Sequence, residues 1–501
     1  MLKPRILLVI LVALVLASCG ANQPTPTTEA DPQGFIGPVQ PTSVEQPAPT
    51  QVEEETPEPT PTTGPAFADY KVMRGDTLGI IADRYDANID DIMQMNGMSN
   101  PNSLQIGQVL RIPVLVERVG PADKIIPDSE LVYGTAYAHF DVNAFAQKYG
   151  GYLVGYTERV EGIVLTGPQI IQLVAERFSV GPRVLLTMLE MQGGWVTSSG
   201  FGQQQIDYPM GHIEPIRSGL YKQSFWMANA LNAGYYGVVT GQRPTMQFKD
   251  RRRARFAPGV NPGTAAIQNA LAADSTWESW QNLIGSGGFS ATYRKLFGDP
   301  FAAAEDPVVP KGVQQPTMRL PFPDGHLWYL TGGPHAGWVD GSAWAALDFT
   351  PKDQAGSCWT SADWAIAAAP GKVLQTEKGR VVVNLSGSDF QGTGWTLLYM
   401  HMAAEDRVEI GTVLKTGDHV GHPSCEGGAA ETSHLHFARL YNGQWIPAGD
   451  KKMPMLLSGW VTQAAQQEYD GKLVRGTQVI EADNAQVPDR NGLVADGGEQ
   501  K

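Results

Sequence analysis

Apolar and polar positions follow distinct patterns in the first quarter of the chain. Residues 6–16 form a continuous apolar run, whereas residues 19–66 are rich in Pro, Thr, Gln and Glu. The second stretch cannot bury enough surface to fold, so we predict an extended, semi-stiff linker. In residues 67–114, two alternating stretches flank two stretches with apolar residues at helical spacing. This pattern predicts a strand–helix–helix–strand unit.

The rest of the chain divides into a helical part and a β-rich part. Residues 115–309 contain several helical patterns and predict an α-rich domain. Residues 310–455 predict short strands separated by Gly, Pro and Asn turns. Residues 456–501 add one alternating segment and a polar tail, to which we assign no function. The predicted strands of the β-rich part are 364–369, 372–376, 380–385, 395–401 and 434–440.

Composition and charge narrow the range of functions. A chain of 501 residues has room for about three folded domains. With 37 basic and 51 acidic residues, the net charge is −14. No global positive field exists to attract phosphates, which argues against a nucleic-acid partner. Three cysteines are too few for a disulfide scaffold or a cysteine-based zinc ribbon.

The N-terminus indicates export. Lys3 and Arg5 precede the apolar run and small residues follow it, which is typical of a signal peptide. The letters LASC, ending at Cys19, resemble the lipobox of bacterial lipoproteins. This resemblance implies a signal peptide over residues 1–18, lipidation of Cys19, and an extracytoplasmic chain anchored to the membrane and facing the cell wall. An uncleaved anchor helix is the alternative.

The strand–helix–helix–strand unit resembles a LysM module. The letters GDTL, an asparagine at position 96 and the letters LQIGQ occur in the order of that family. LysM modules bind N-acetylglucosamine polymers, so the resemblance implies peptidoglycan as a partner. It also implies a glycan groove between two loops. The residues of this groove are Gly75, Asp76, Thr77, Leu78 and Ile106.

Two fragments of the α-rich domain, RVLLTMLEMQGGW and FWMANALNAGYYG, faintly resemble helices of lytic transglycosylases of the lysozyme superfamily. In that family the catalytic acid is a glutamate followed by serine, and here Gln192 and Gly193 occupy this place. A glutamine cannot donate a proton to a glycosidic oxygen, so we expect no glycosidic cleavage. A degenerate, glycan-cradling domain and a helical spacer without a ligand both stay open.

Candidate chemistry is concentrated near the C-terminus, because seven of the nine histidines lie in residues 310–455. His434 and His436 are two residues apart on a predicted strand and therefore face the same side. His335 follows a Gly-Gly-Pro turn, and His401 ends a predicted strand. Asp348 lies in an apolar stretch, where an unpaired carboxylate is costly.

This part resembles the lysostaphin/LytM-type zinc endopeptidases, which fold as the duplicated hybrid motif. The letters AAAPGKVLQTEKGRVVVNL, GWTLLYMHM, VEIGTVLKTGDHVGH and TSHLHF follow the family's order. The resemblance implies that His335, Asp348 and His436 ligate Zn²⁺ and leave a position open for water. It also implies that His434 acts as general base and that His401 orients groups or stabilises the oxyanion.

One departure from the family leaves a ligand in question. The family has histidine, three residues, then aspartate, whereas 12 residues separate His335 from Asp348. Asp340 is closer to the usual spacing but lies in a glycine-rich stretch. We prefer Asp348, since the letters around it match the family's strand. A second open question concerns Cys358 and Cys425, for which we predict a disulfide, with two free thiols as the alternative.

The combined interpretation is a membrane-anchored zinc metalloendopeptidase that binds peptidoglycan and hydrolyses its stem peptides or cross-links. Two alternatives stay open: an inactive wall-binding lipoprotein that regulates another hydrolase, and a structural link between membrane and wall. An activator protein is a further candidate partner. The five histidine and aspartate candidates favour the enzyme, because degenerate relatives lose one or more of these residues.

Overall fold

The computed structural model describes residues 66–73, 76–85, 87–114, 116–353 and 357–496. The predicted signal peptide, Cys19, the linker up to residue 65, and Gly75 lie outside the described residues. Within the described ranges, no helix combines the length and the apolar character needed to cross a bilayer.

The first unit has the predicted strand–helix–helix–strand order. Its elements are β1 (Ala66–Lys71), α1 (Leu78–Tyr85), α2 (Ile89–Met95) and β2 (Val109–Val114). The two strands pair antiparallel. Leu78 and Ile81 of α1, Ile92 of α2, and Leu110 and Ile112 of β2 form a small buried core between helices and strands. Helical and alternating apolar patterns therefore meet in one core, as the sequence predicts.

The second unit is mainly helical, and its core continues into the unit that follows. Its helices are α3 (Asp128–Leu131), α4 (Val142–Tyr149), α5 (Tyr152–Gly155), α6 (Gly167–Phe178), α7 (Pro182–Gly193), α8 (Gln203–Asp207), α9 (Leu220–Thr240), α10 (Pro262–Ala272), α11 (Trp277–Ile284) and α12 (Phe289–Phe297). Its short strands are β3 (Val116–Val119), β4 (Thr157–Val160), β5 (Ile163–Thr166), β6 (Thr245–Gln247) and β7 (Arg253–Arg255). The long helix α9 packs against both α6 and α10.

Local sequence signals explain where α6 begins. Thr166 accepts a hydrogen bond from the Gln169 backbone N–H, and Gln169 Oε1 accepts one from the Thr166 N–H at 2.9 Å. This capping box satisfies donors that the first helical turn leaves free. Pro168 lies in that turn, where a missing N–H costs nothing. These signals fix the residue at which α6 begins.

The third unit is built around a nine-stranded sheet. Its elements are β8 (Leu327–His335), β9 (Ala346–Pro351), β10 (Ala365–Ile366), β11 (Gly371–Glu377), β12 (Arg380–Asn384), β13 (Trp395–Met400), β14 (Val413–Leu414), β15 (His419–Gly421), β16 (Leu435–Tyr441) and β17 (Gln444–Trp445). The strand order is β14-β11-β12-β13-β16-β9-β8-β22, where β22 is Gly492–Val494, and β17 pairs with β16. The central strands β13, β16 and β9 are almost entirely buried, because both faces of the sheet are covered.

The segment after residue 455 packs into the same structure. It contains β18 (Leu456–Leu457), β19 (Trp460–Ala464), β20 (Gly471–Arg475), β21 (Gln478–Glu481), α13 (Pro488–Asn491) and β22 (Gly492–Val494). Strand β22 pairs antiparallel with β8 and forms one edge of the large sheet. Leu457, Leu473 and Leu493 lie in one buried core with Leu330 and Phe349. The polar tail, to which we assigned no function, therefore supplies the edge strand of the sheet that carries the candidate site.

The helical unit and the β-rich unit share an extensive contact. Trp445 donates its backbone N–H to Tyr236 Oη at 2.9 Å, and Ser179 Oγ donates to Gly443 O at 2.6 Å. Gln375 Nε2 donates to the Glu176 carboxylate at 2.9 Å. Residues of α6, α9 and β16 contribute to one continuous hydrophobic core.

Candidate metal centre

Three neighbouring strands bring together the predicted metal ligands. His335 ends β8, Asp348 lies in β9 and His436 lies in β16. In the antiparallel register, His436 stands opposite Asp348. His335 Nε2 lies 2.9 Å from His436 Nδ1 and 3.2 Å from Asp348 Oδ1, and His436 Nδ1 lies 3.3 Å from the same oxygen. All three residues are nearly buried.

The hydrogen bonds that the two histidine rings make to backbone carbonyls outside the centre determine which nitrogen of each ring carries the proton. His335 Nδ1 lies 2.8 Å from Gly333 O, and His436 Nε2 lies 3.1 Å from Gly337 O. A carbonyl oxygen can only accept, so both outward nitrogens carry the proton and the inward nitrogens of the neutral rings present lone pairs. Asp348 Oδ1 is buried and has no hydrogen-bond partner. Three lone pairs thus converge, which is unfavourable unless a cation, either a proton or a metal ion, binds among them.

The donor chemistry fits Zn²⁺. Two imidazoles and one carboxylate are a usual set of three protein ligands for catalytic zinc. Each histidine also makes the outer hydrogen bond that fixes tautomer and orientation in such sites. Within the described residues, His335, Asp348 and His436 form the one group of three whose donor atoms lie within 4.8 Å of one another.

Electrostatics at the centre favour a charged carboxylate. Burial opposes the charge of Asp348, but the neighbouring rings of His335 and His434 outweigh burial and hold the pKa of Asp348 well below its usual range. Burial also favours a neutral His335, yet the Asp348 carboxylate raises the pKa of His335. For His436, burial dominates and lowers the pKa.

His434 and His401 lie beside the three donors. His434 Nε2 is 3.7 Å from Asp348 Oδ1, and its Nδ1 lies 2.7 Å from Thr432 O. His401 follows β13 in a left-handed conformation (φ +68°), and its ring centroid lies 4.5 Å from that of His434. Burial and the nearby histidines lower the pKa of His401 to about 3. Its Nδ1 lies 3.1 Å from the backbone carbonyl of Glu426.

Two glycines allow the donors to approach. A Cβ on Gly332 would lie 2.7 Å from Asp348 Oδ2, and a Cβ on Gly337 would lie 2.5 Å from the Trp445 ring. Neither atom could be accommodated without moving a donor or a large buried ring. The glycines near His335 are therefore required by packing against the site.

Asp340 stands apart from the donors. It is exposed, and its backbone carbonyl accepts a hydrogen bond from Arg243 Nη2 at 3.0 Å. Asp348, by contrast, faces both histidines from the neighbouring strand. The geometry supports the choice of Asp348 over the aspartate whose spacing is closer to the family pattern.

Sequence reasoning missed Tyr469, which comes from the segment after residue 455. Its ring stacks on His335 with centroids 4.3 Å apart and planes 17° apart, and the residue is 54% exposed. Gly333 N donates to Tyr469 O at 2.7 Å, and Tyr469 N donates to Pro334 O at 3.2 Å. Burial and the charge of Asp348 raise its pKa to about 12. No local motif marks this tyrosine, because its place depends on long-range pairing.

The two predicted cysteine partners form a disulfide in the structure. Cys358 and Cys425 are bonded, with Cα atoms 5.6 Å apart and 67 residues between them in sequence. They join two loops beside the candidate site. A pocket of about 420 Å³ lies next to the disulfide, and its wall includes Trp359, Glu405 and Glu426.

The predicted glycan-binding residues lie around the start of α1 and the loop before β2. Asp76 Oδ2 accepts hydrogen bonds from Tyr70 Oη at 2.6 Å and from Met73 N at 2.7 Å. Thr77 is exposed and Leu78 is buried, whereas Ile106 is 72% exposed. Asp76 and Leu78 are thus engaged in holding the fold, and so is the Thr77 hydroxyl, which accepts a hydrogen bond from Ile80 N at 3.2 Å. Ile106 is the exposed apolar side chain among them.

In the helical unit, Gln192 and Gly193 lie in the last turn of α7. The nearby Glu190 accepts hydrogen bonds from Val196 N and Thr197 N, each at 3.1 Å. Its carboxylate therefore holds the turn that follows α7. The transglycosylase-like character of this unit stays a prediction.

In comparisons with known proteins, two of the three units match family models, in the order in which they occur along the chain. Residues 70–113 match the family model of the LysM domain, and residues 124–309 match the model described as LasA, N-terminal domain. Over 289 residues the chain is 26% identical to Protease LasA of Pseudomonas aeruginosa strain PAO1, covering 54% of this chain and 65% of that protein. Protease LasA of strain UCBPP-PA14 has the same identity and coverage. The chain thus spans about 65% of the length of the curated relatives it matches.

Solved structures with a similar region include two peptidases. One, titled a novel M23 metalloprotease pseudoalterin from deep-sea, is 24% identical with a TM-score of 0.28 and covers 34% of this chain and 96% of that chain. The catalytic domain of lysostaphin from Staphylococcus simulans is 19% identical with a TM-score of 0.18, and covers 25% of this chain and 89% of that chain.

The chain thus resembles the lysostaphin/LytM-type zinc endopeptidases and carries a LysM domain. Two curated relatives that it matches are Protease LasA proteins, and residues 124–309 match the model of the LasA N-terminal domain. Zn²⁺ is the cofactor of this class, and the donors His335, Asp348 and His436 fit it.

Proposed function

We propose that this chain is a zinc endopeptidase that hydrolyses peptide bonds in the stem peptides or cross-links of peptidoglycan. The observation that carries the proposal is the convergence of three donor atoms, from His335, Asp348 and His436, beside two further histidines. When bound by these donors, zinc supplies Lewis-acid activation of a water molecule and of the scissile carbonyl near neutral pH.

His434 is the group that we propose as general base. Its Nδ1–H donates to Thr432 O, so the Nε2 of the neutral ring is an acceptor. This nitrogen lies at the edge of the donor set, 3.7 Å from Asp348 Oδ1. It is therefore within reach of the proton that a water beside the donors must lose when it attacks the carbonyl.

We propose that His401 orients the attacking water. Its Nδ1–H donates to Glu426 O, which leaves Nε2 as an acceptor next to His434. An unprotonated ring nitrogen can accept a hydrogen bond from the second O–H of the water. It carries no proton to donate to an oxyanion. Of the two roles that the family resemblance implies for His401, orientation is the one that its hydrogen bond supports.

The other units supply location in this proposal. The LysM domain holds the chain on glycan, and the lipid on Cys19 and the linker hold it near the membrane. Tethering raises the local substrate concentration without new contacts at the metal centre. The anchor is tested by membrane fractionation of wild type and Cys19→Ala, since the variant should move to the soluble fraction.

Metal content and muropeptide release test the enzyme. A chain beginning at residue 20 would be compared with His436→Ala, Asp348→Asn and, as the matched control, Asp340→Asn. We expect one zinc per wild-type chain and release of soluble peptides from purified peptidoglycan. His436→Ala and Asp348→Asn should lose both, because each removes a donor, whereas Asp340→Asn should keep both.

Two results would contradict the proposal. Zinc binding without peptide release from any peptidoglycan tested would favour the alternative of an inactive wall-binding protein that regulates another hydrolase. Absence of both zinc and release would leave a wall-binding protein. Loss of zinc in Asp340→Asn would instead reject the assignment of Asp348.

A further inference from the structure

The loop that joins the first two metal donors is held by the helical unit. We call residues 336–345, between His335 and Asp348, the donor loop. Gly341 N donates to Asn229 Oδ1 of α9 at 2.9 Å, and Arg243 Nη2 donates to Asp340 O at 3.0 Å. A Cβ on Gly341 would lie 2.2 Å from Asn229 O, so the loop backbone rests directly on α9.

A second contact holds the loop from the side of α6. The Trp338 ring lies near two guanidinium groups, with its centroid 6.0 Å from Arg177 Cζ and 5.3 Å from Arg380 Cζ. Arg177 belongs to α6 and is fixed by Glu161, whose carboxylate is 2.7 Å from Nη1. The cation–π contacts and this ion pair limit the freedom of the indole.

The donor loop in turn orients a zinc ligand. Gly337 O accepts the Nε2–H of His436, which leaves His436 Nδ1 free to face the other donors. Gly337 is itself fixed by the Trp445 ring, against which a Cβ would collide. Trp445 donates its backbone N–H to Tyr236 Oη of α9 and its indole N–H to Phe178 O of α6, at 2.9 and 3.3 Å.

We propose that α6 and α9 position the metal centre through the donor loop, so that the affinity for zinc depends on the helical unit. Asn229 is then a positioning residue that acts on His436 through the backbone of the loop. The inference rests on the proposed zinc site, but it concerns metal affinity and does not require that peptidoglycan is the substrate. It assigns the helical unit a role in the chemistry besides any role in glycan binding.

Zinc affinity of the whole chain beginning at residue 20, measured by competition with a chromophoric chelator, tests the proposal. Asn229→Ala removes the acceptor for Gly341 N and should weaken zinc binding on the order of 10-fold, the lower end for loss of an outer contact. Asn229→Asp keeps an acceptor oxygen and should restore most of the affinity. Asn269→Ala is the matched control, because Asn269 makes one hydrogen bond within the helical unit, to Ala230 O at 2.8 Å.

A second variant distinguishes displacement of the donor loop from a general loss of stability. Gly341→Ala forces the donor loop away from α9 and should weaken zinc binding at least as much as Asn229→Ala, with the far-ultraviolet circular dichroism of wild type. Unchanged affinity in Asn229→Ala and Gly341→Ala would overturn the proposal, and so would an equal loss in Asn269→Ala. A wild-type chain that binds zinc but releases no peptide would reject the proposed function and leave this inference standing.

Discussion

At the scale of single residues, backbone carbonyls decide the chemistry of the site. Gly333 O, Gly337 O, Thr432 O and Glu426 O each accept one ring proton. The opposite nitrogen of each ring is thereby left as a lone pair. Four histidines thus present acceptors toward one space around the Asp348 carboxylate. That arrangement suits a cation and a water molecule. Because it depends on the backbone carbonyls, the side chains alone do not define the site.

Tyr469 provides a test at this scale. Its ring covers one face of His335, so Tyr469→Ala should free that ligand and weaken zinc binding about fivefold, in line with about 1 kcal/mol for an aromatic pair. Tyr469→Phe keeps the ring and should bind zinc like wild type in the chelator competition. A loss in both variants would mean that the hydroxyl, and not the stacking, supports the centre.

At the scale of elements, the sequence predicts where strands lie better than it predicts which segments they pair with. The predicted strands 372–376 and 380–385 correspond closely to β11 and β12, because alternation and turn residues are local signals. The predicted strand 364–369 shrinks to Ala365–Ile366. Ala367 N and Ala368 N donate instead to Asp418 O and Tyr399 Oη.

The candidate site shows the same limit. Its five histidine and aspartate side chains follow from a family resemblance, which carries long-range information in its motif order. Tyr469 and Asn229 have no such motif, and each lies more than 100 residues from the part of the site it contacts. Their roles depend on the packing of β19 and β20 against β8 and on the packing of α9, which periodicity cannot reveal.

The disulfide makes a prediction for the loops that join these elements. It closes 67 residues, which corresponds to about 4 kcal/mol of unfolding free energy in the chain-entropy estimate. A reductant should therefore lower the urea midpoint of a chain beginning at residue 20. The double variant Cys358→Ser/Cys425→Ser should start from the lower midpoint and show no further shift with reductant. A midpoint that reductant leaves unchanged in wild type would contradict this contribution.

At the scale of the whole molecule, the helical unit and the β-rich unit are not separate in their packing. Residues of α6 and α9 share a hydrophobic core with Leu398 and Trp445 of the β-rich unit. Leu457, Leu473 and Leu493 complete the core on the other side of the sheet. A metal centre placed between such neighbours depends on segments that look like a spacer and a tail in the sequence.

Truncation of the C-terminal segment tests this dependence. A chain that ends at residue 455 loses β22 from the edge of β8, exposes the core around Leu330 and Phe349, and frees His335 from Tyr469. Burying a leucine or phenylalanine side chain contributes about 1.5–3 kcal/mol, so losing several such contacts exceeds the stability of an ordinary domain. We expect this chain to aggregate or to show no cooperative thermal unfolding. A chain that ends at residue 496 keeps these contacts and should unfold like the complete one. Cooperative unfolding and wild-type zinc affinity in the shorter chain would mean that the sheet and the metal centre are complete at residue 455.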